Sequence, residues 1–150
     1  MLSKKAKYAI IALVNLARRY EQGPALIRDI AREERIPRKF LELILLELKK
    51  AGILGSKKGK GGGYYLTKHP GEVDLATIMR LFDGPIGMIP CVTYKYYEPC
   101  EECKTEVTCG IRSVFKELRD ETVRLLKQAT LSEIIRRENQ LDDQMEIEDE

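Results

Sequence analysis

The sequence predicts a mainly α-helical chain with one small β-hairpin and one long helix in its second half. Three observations support this fold class. Apolar residues recur with helical spacing in several segments of the 150-residue chain. A glycine-rich run, GILGSKKGKGGGYYLTK, separates two short strand-like stretches at residues 52–68. An uninterrupted amphipathic segment follows from about residue 106.

Positive and negative charges are divided between the two halves of the chain. Residues 1–68 hold 16 Lys and Arg against 6 Asp and Glu, a net charge of +10, whereas residues 69–150 hold 10 against 18, a net charge of −8. A basic segment of this size favours a polyanionic partner, with nucleic acid as the first candidate. A solvated surface with scattered charges is the alternative.

The hydropathy of the sequence argues against a membrane span and a signal peptide. No apolar run approaches the roughly 18 residues that a membrane span needs. The first apolar stretch is followed by Arg18 and Arg19 without a small-residue cleavage site, so it does not match a signal peptide. We therefore expect a cytoplasmic protein with no membrane partner.

Three helices are predicted in the first part of the chain, and the second and third of them form a helix-turn-helix candidate. Ser3 is placed to cap the first helix, and Gly23-Pro24 interrupts helical structure after it. The segments ALIRDIARE and ERIPRKFLELILLELKKAG predict the next two helices, with Pro37 in a first turn and Gly52 at an end. Two helices separated by about four residues form a helix-turn-helix candidate.

The second helix of this pair has an apolar and a polar side. Its inward stripe is expected to be Leu41, Ile44, Leu45 and Leu48. The opposite side near the N-terminal end holds Arg38, Lys39 and Glu42, where a recognition helix meets base edges and phosphates. Taken alone, this element also fits an ordinary surface helix.

The hairpin that follows favours a recognition helix over an ordinary surface helix. Its tip holds Lys57, Lys58 and Lys60, which attract phosphates, and Gly59 and Gly61, which allow positive φ and close backbone approach. A helix-turn-helix followed by such a hairpin is the winged-helix arrangement, in which the wing can enter a minor groove. The run lacks the GxxxxGK[ST] spacing of a nucleotide-phosphate loop.

A long helix dominates the remainder of the chain. Asp74 can cap a short helix, LATIMRLF, and a longer helix is expected from about Glu106 to about Gln128. An apolar stripe on this long helix needs a partner surface, for which a second copy in a symmetric homodimer is the expected source. The stripe comprises Ile111, Val114, Phe115, Leu118, Thr122, Leu125 and Leu126.

The predicted organisation has four parts. Residues 1–84 form a winged helix-turn-helix domain, residues 85–105 a cysteine-rich sensor loop, and residues 106–137 the dimerisation helix with a C-terminal turn. The end, LDDQMEIEDE, has little apolar surface to bury, and residues 138–150 are therefore expected to be an acidic disordered tail.

All four cysteines lie in one segment with the spacing C-x8-C-x2-C-x5-C, from Cys91 to Cys109. Thiolates are soft ligands that suit iron-sulfur clusters, zinc and cuprous copper. A zinc site that uses the CxxC of Cys100 and Cys103, and a thiol-disulfide redox switch, are open alternatives. An enzyme is not expected, because this CxxC lies in an acidic loop without βαβ context and the chain holds a single histidine.

Several segments together resemble a known family. KYAIIAL, GPALIRDIA, FLELILLELKKAGIL, KGKGGGYYL and LFDGPI are similar to the Rrf-two type (BadM-type) winged-helix transcriptional regulators, the family of the iron-sulfur regulator IscR. The resemblance runs from Met1 to about Ile135. It implies a homodimeric repressor or activator that binds a double-stranded DNA operator and dimerises through its long helix.

The resemblance also implies a cofactor. Cluster-binding members hold an iron-sulfur cluster, 2Fe-2S or 4Fe-4S, by three cysteines that correspond to Cys91, Cys103 and Cys109. Cys100 is an additional thiol, a fourth or an alternate ligand, and Arg112 stands where some members place a histidine ligand. The cluster would make operator binding sensitive to iron, redox state or nitric oxide. A zinc site or thiol switch in this loop remains the alternative.

Family DNA contacts carry over to two places in this sequence. On the recognition helix they correspond to Arg38, Lys39 and Glu42, and in the wing to Lys58, Gly59, Lys60 and Gly61. Leu43 stands where iron-sulfur members often have a glutamine, so base readout at this position is expected to differ.

Overall fold

A computed structural model describes residues 1–148 of the chain. Among these residues, no helix is both long and apolar enough to cross a membrane. The predicted fold class is confirmed, since six helices accompany one two-stranded antiparallel hairpin in the described part. The elements are α1 (Lys4–Arg18), α2 (Ile27–Glu34), α3 (Arg38–Lys50), β1 (Leu54–Lys57), β2 (Gly63–Leu66), α4 (Leu75–Asp83), α5 (Gly110–Gln128) and α6 (Leu131–Glu148).

Local capping signals determine where the first helices begin and end. The Ser3 hydroxyl accepts the Ala6 N–H at 3.0 Å, and the Asp74 carboxylate accepts the Thr77 N–H at 2.9 Å. Pro37 is the N-cap of α3, one position before the predicted first turn. Gly52 follows α3 with φ +78°, a conformation that favours glycine at a helix end.

The core joins the helix-turn-helix to α1 and α4. The predicted inward stripe of α3 is confirmed, because its four members are all fully buried. They pack in one cluster with apolar side chains of α1, α2 and α4, including Leu13, Ile30 and Ile78. Burial of these side chains contributes the main stabilisation of the domain, at about 1.5–3 kcal/mol for each fully buried leucine or isoleucine.

The hairpin is attached to the rest of the domain by backbone pairing. Its register places Leu54 opposite Leu66 and Lys57 opposite Gly63. Tyr64 of β2 exchanges two backbone hydrogen bonds of 2.8 Å with Ala25 in the loop before α2. A Cβ at Gly63 would lie 2.3 Å from the Ala25 carbonyl oxygen, so this close approach requires glycine.

The long helix α5 begins later than the sequence predicts. It starts at Gly110 instead of about Glu106, and Cys109 is its N-cap. Between α4 and α5, the chain forms a short 3-10 turn, Pro90–Val92, hereafter the Cys91 turn. Cysteine is not a usual N-cap residue, and this explains why the boundary was missed.

The chain after α5 returns to the winged-helix core. Leu131 is fully buried within the core cluster, and its N–H donates to the Val73 carbonyl at 2.9 Å. The Leu75 N–H donates to the Ala129 carbonyl at 3.1 Å. The start of α6 therefore packs in the same core as α1, α3 and α4.

The predicted disordered tail is corrected over residues 138–148, where α6 continues to Glu148. Hydrogen bonds from Arg136 and Arg137 lower the pKa of Glu133 to about 2, so these ion pairs of the first turns persist at neutral pH. Glu138 pairs with Arg18 of α1, and Leu141 lies in the groove between the two helices. The remaining prediction, for Asp149 and Glu150, lies outside the described residues.

Candidate nucleic-acid interface and cysteine segment

The exposed side of α3 carries the predicted DNA contacts. Arg38, Lys39 and Glu42 are all exposed. The Arg38 Nε lies 3.5 Å from the Glu42 Oε1, an i, i+4 pair one helical turn apart. Glu42 thus partly neutralises Arg38, whereas Lys39 is exposed to solvent.

The wing adds three lysines next to this helix. Lys57, Lys58 and Lys60 are exposed, and the tip between the strands is a tight turn. The predicted positive φ angles are present at Gly59 (+86°) and Gly61 (+74°). The Lys49 ammonium of α3 donates to the Ser56 hydroxyl of β1 at 2.7 Å. This contact, with the short connection from α3 to β1, holds recognition helix and wing in one basic surface.

The cysteines divide into two pairs. Cys91 is buried in the Cys91 turn, and the Cys109 Sγ accepts the Arg112 N–H at 3.4 Å at the start of α5. Cys100 and Cys103 are exposed on a turn in which the Cys103 N–H donates to the Cys100 carbonyl at 3.0 Å. One pair is thus attached to the long helix, and the other lies in solvent.

The Cys100 thiol is hydrogen-bonded to Glu102. The Cys100 Sγ donates to a Glu102 carboxylate oxygen at 3.0 Å, and this hydrogen bond raises the pKa of Cys100. A cysteine binds metal as its thiolate, so the neighbouring carboxylate opposes ligation by Cys100.

Two arginines of α5 hold the Cys91 turn. The Arg112 Nε donates to the Cys91 carbonyl at 3.3 Å, and Arg119 donates to the Val92 carbonyl. Arg119 is only 6% exposed, and its guanidinium lies 4.3 Å from the centroid of the Tyr94 ring. Arg112 therefore contacts both Cys91 and Cys109, and the backbone of the Cys91 turn is held against the helix that the Cys109 thiol caps.

The roles of Arg112 and Arg119 were not predicted from sequence. The available signal is their seven-residue spacing, which puts both on one side of α5. Together with Lys116, they line a cavity of about 330 Å³ between the Cys91 turn and α5.

The four thiols of this segment are candidate ligands of a metal site. Four thiols suit an iron-sulfur cluster or zinc by their chemistry. Among residues 1–148, however, no group of three or more His, Cys, Asp and Glu side chains lies close enough to hold a metal ion. The residues fit the cofactor in type, but in residues 1–148 they are not gathered into a group of three or more donors.

The predicted dimerisation stripe of α5 has two edges. Phe115, Thr122 and Leu126 are half-buried, and the first two line a cavity with Met79 of α4. The other edge is exposed along the helix and comprises Ile111, Val114, Leu118 and Leu125. A contiguous exposed apolar surface of this kind is typical of a protein interface.

A family model described as "Rrf2: Iron-dependent Transcriptional regulator" matches residues 2–137. The chain belongs to the Rrf2 family. The resemblance stated from sequence is confirmed, as is the prediction that the protein is not an enzyme, because its relatives are transcriptional regulators. Rrf2 regulators bind DNA, which agrees with the basic surface of α3 and the wing.

Individual relatives span most of this Rrf2 regulator. It is 40% identical over 138 residues to an rrf2-like HTH-type transcriptional regulator of Rhodobacter capsulatus, covering 90% of this chain and 92% of the relative. It is 27% identical over 141 residues to the regulator IscR of Pectobacterium carotovorum, covering 94% and 82%. The structure of CymR, the global cysteine regulator of Bacillus subtilis, matches with a TM-score of 0.75 at 25% identity, covering 89% and 95%.

Proposed function

We propose that this Rrf2 regulator binds its operator as a homodimer, with α3 in the major groove and the wing against the adjacent backbone. The supporting observation is that α3 exposes Lys39 near its N-terminal end, while Lys49 near its C-terminal end contacts the wing at Ser56. Arg38 and Glu42 flank Lys39 and offer hydrogen bonds to base edges. The wing contributes Lys57, Lys58, Gly59, Lys60 and Gly61 as phosphate contacts.

Dimerisation is proposed through the exposed edge of α5. Two copies that pair along Ile111, Val114, Leu118 and Leu125 would remove this apolar surface from water. In such a dimer, the inclination of α5 to its own winged-helix domain sets the distance between the two recognition helices.

The cysteine segment is proposed as the element that regulates this distance. The observation that carries the proposal is that two cysteines contact α5, because the Cys109 thiol caps the helix and Arg112 donates to the Cys91 backbone carbonyl. A chemical change at either thiol alters the contacts that position the start of α5. The equilibrium between two dimer arrangements would shift accordingly.

An iron-sulfur cluster is the proposed cofactor, with Cys91, Cys103 and Cys109 as ligands and Cys100 as a fourth or alternate ligand. When bound, a cluster supplies a centre that responds to iron, oxidants and nitric oxide. The thiol chemistry of the segment supports this assignment, as does the likeness to IscR. Ligation by three cysteines requires the segment to rearrange, since no group of three donors is assembled among residues 1–148. Glu102 disfavours the thiolate of Cys100.

A zinc site or a thiol-disulfide switch in the same segment is the second candidate. It is favoured by the exposed turn, which presents Cys100 and Cys103 to solvent as a CxxC. This turn can be oxidised without any contribution from α5, in contrast to a site that needs Cys91 and Cys109.

Metal and sulfide analysis of anaerobically purified protein separates the two candidates. We expect iron and acid-labile sulfide in the dimer, lost in Cys91→Ala, Cys103→Ala and Cys109→Ala variants. The Cys100→Ala variant keeps both if Cys100 is not a ligand. A colourless protein with stoichiometric zinc, or with no metal and a reversible Cys100–Cys103 disulfide, would contradict the cluster.

A further inference from the structure

The side of α3 that faces away from the core has two leucines at its centre. Leu43 is 57% exposed and Leu46 is 42% exposed. At 3.6 residues per turn, the direction opposite the buried stripe of α3 falls on four positions of the helix. These positions are Lys39, Leu43, Leu46 and Lys50. The middle of the outer surface is thus apolar, and a lysine stands at each end.

The charged residues around the leucine pair indicate what kind of partner it binds. Single exposed leucines are ordinary on protein surfaces, but these two lie one turn apart between two lysines, with the Arg38–Glu42 pair on one flank. Lys39 and Lys50 are exposed at the two ends, and Arg38 and Lys49 are exposed along one side. A partner that complements this pattern carries apolar groups between two rows of negative charge. The DNA major groove has this arrangement, because thymine C5-methyl groups lie between the two phosphate backbones.

We infer that Leu43 and Leu46 read thymine methyl groups in the major groove of the operator. The inference rests on the proposed operator binding and specifies the sequence that the regulator selects. Side chains at i and i+3 of a helix are about 5–6 Å apart, and successive bases of a strand are about 3.4 Å apart. The two leucines therefore contact thymines that are one or two base steps apart in each half-site.

Hydrogen bonding from the neighbouring residues complements this readout. Glu42 and Arg38 lie on the flank of the leucine pair and contact each other at 3.5 Å. They can distinguish base edges that carry donors or acceptors, for example a cytosine amino group by the Glu42 carboxylate. The leucines have neither donors nor acceptors, so they discriminate only by the presence of the methyl group.

Deoxyuridine substitution tests the inference, because it removes the thymine methyl group without changing base pairing. Operator duplexes are first selected from a random library with the full-length protein at fixed salt. Each thymine of the selected half-site is then replaced by deoxyuridine. At one or two adjacent positions, we expect about fourfold weaker binding, the effect of one methyl group that is no longer buried.

A double-mutant cycle assigns the contact to the leucines. Leu43→Ala and Leu46→Ala should each remove the deoxyuridine effect at one thymine, so that the protein and DNA changes are not additive. Lys39→Ala is the matched control on the same side of α3. It should weaken binding and its salt dependence while the deoxyuridine effect remains. Both leucines are exposed, and circular dichroism checks that the variants keep their fold.

The outcomes distinguish failure of the inference from failure of the proposed function. If the protein selects duplexes but no deoxyuridine changes the affinity by more than twofold, the inference is wrong and operator binding stands. The same holds if the deoxyuridine effect persists in both leucine variants. If no duplex is enriched, the proposed operator binding is itself contradicted, and the methyl readout with it.

Discussion

Arg119 is a buried cation whose contacts connect the cysteine segment to α5. Burial of a guanidinium costs desolvation free energy unless its N–H groups have acceptors. Arg119 finds them in the Val92 carbonyl, the Tyr94 hydroxyl at 3.2 Å and the Asp120 carboxylate at 2.8 Å. Two of these acceptors belong to the chain next to Cys91, so this one side chain holds the Cys91 turn against the helix.

Arg119→Ala is therefore expected to lower the free energy of unfolding by about 2 kcal/mol. The buried Val92 carbonyl loses its donor, and the packing of the guanidinium on the Tyr94 ring is lost as well. Urea denaturation followed by circular dichroism measures the change. Arg124→Ala is the control, since Arg124 forms an exposed ion pair with Glu121 on the same helix. Equal shifts of both midpoints would contradict the role of Arg119.

Helix caps and turn glycines were predicted correctly, because they depend on local residue preferences. The caps formed by Ser3 and Asp74 and the positive φ of Gly59 follow from local preferences, and the structure agrees with them. Arg119 was missed because two of its three acceptors, at Val92 and Tyr94, lie 27 and 25 residues away in an irregular segment. No periodic pattern in the sequence indicates such a contact.

The wing is a short element that depends on its neighbours for its position. Its strands have four residues each, and an isolated hairpin of this size is marginally stable in water. The pairing of Tyr64 with Ala25 and the contact of Lys49 with Ser56 fix it beside α3. The lysines of the tip are thereby held at the edge of the recognition helix.

Replacement of Lys58 and Lys60 together by alanine should weaken operator binding and reduce its salt dependence. Each lost phosphate contact lowers the slope of log K against log salt by about 0.9, which gives about 1.8 per subunit for the pair. Fluorescence anisotropy at several salt concentrations measures the slope. Lys127→Ala, an exposed lysine on α5, should leave it unchanged. An unchanged slope in the wing variant would show that the tip does not contact phosphate.

Helices and strands were predicted correctly where the residues that define them are close together in the sequence. The helices α1 to α4 and the hairpin follow from helix caps, apolar periodicity and glycines, all within a few residues of each boundary. The extension of α6 was missed because it depends on α1. Glu138 pairs with Arg18, 120 residues earlier in the chain, and the acidic composition of the segment conceals this anchor.

At the scale of the molecule, α5 is joined to the cysteine segment in its N-terminal half and to the winged-helix core just after its C-terminal end. The Cys91 turn contacts its N-terminal half, and the buried Leu131 follows its C-terminal end. Movement of α5 is consequently coupled to the domain that carries α3 and the wing. The exposed apolar edge of α5 is the surface through which a second subunit would share this coupling.

Val114→Glu is expected to convert the dimer into a monomer, because it places a charge in the proposed apolar interface. Sedimentation velocity measures the mass, and circular dichroism verifies the helix content. Leu26→Asp is the control, since Leu26 is an exposed leucine at the start of α2, far from α5 in sequence. The control should remain dimeric. A dimeric Val114→Glu protein would place the subunit interface elsewhere.

The central claim is that the state of the cysteine segment controls operator binding. Its most direct test is the operator dissociation constant of anaerobically purified protein, measured before and after removal of iron by a chelator. We predict a change of about tenfold or more, typical of a coupling between two sites, and no such change in a Cys109→Ala variant. Equal dissociation constants for iron-loaded and iron-free wild-type dimers would contradict the account.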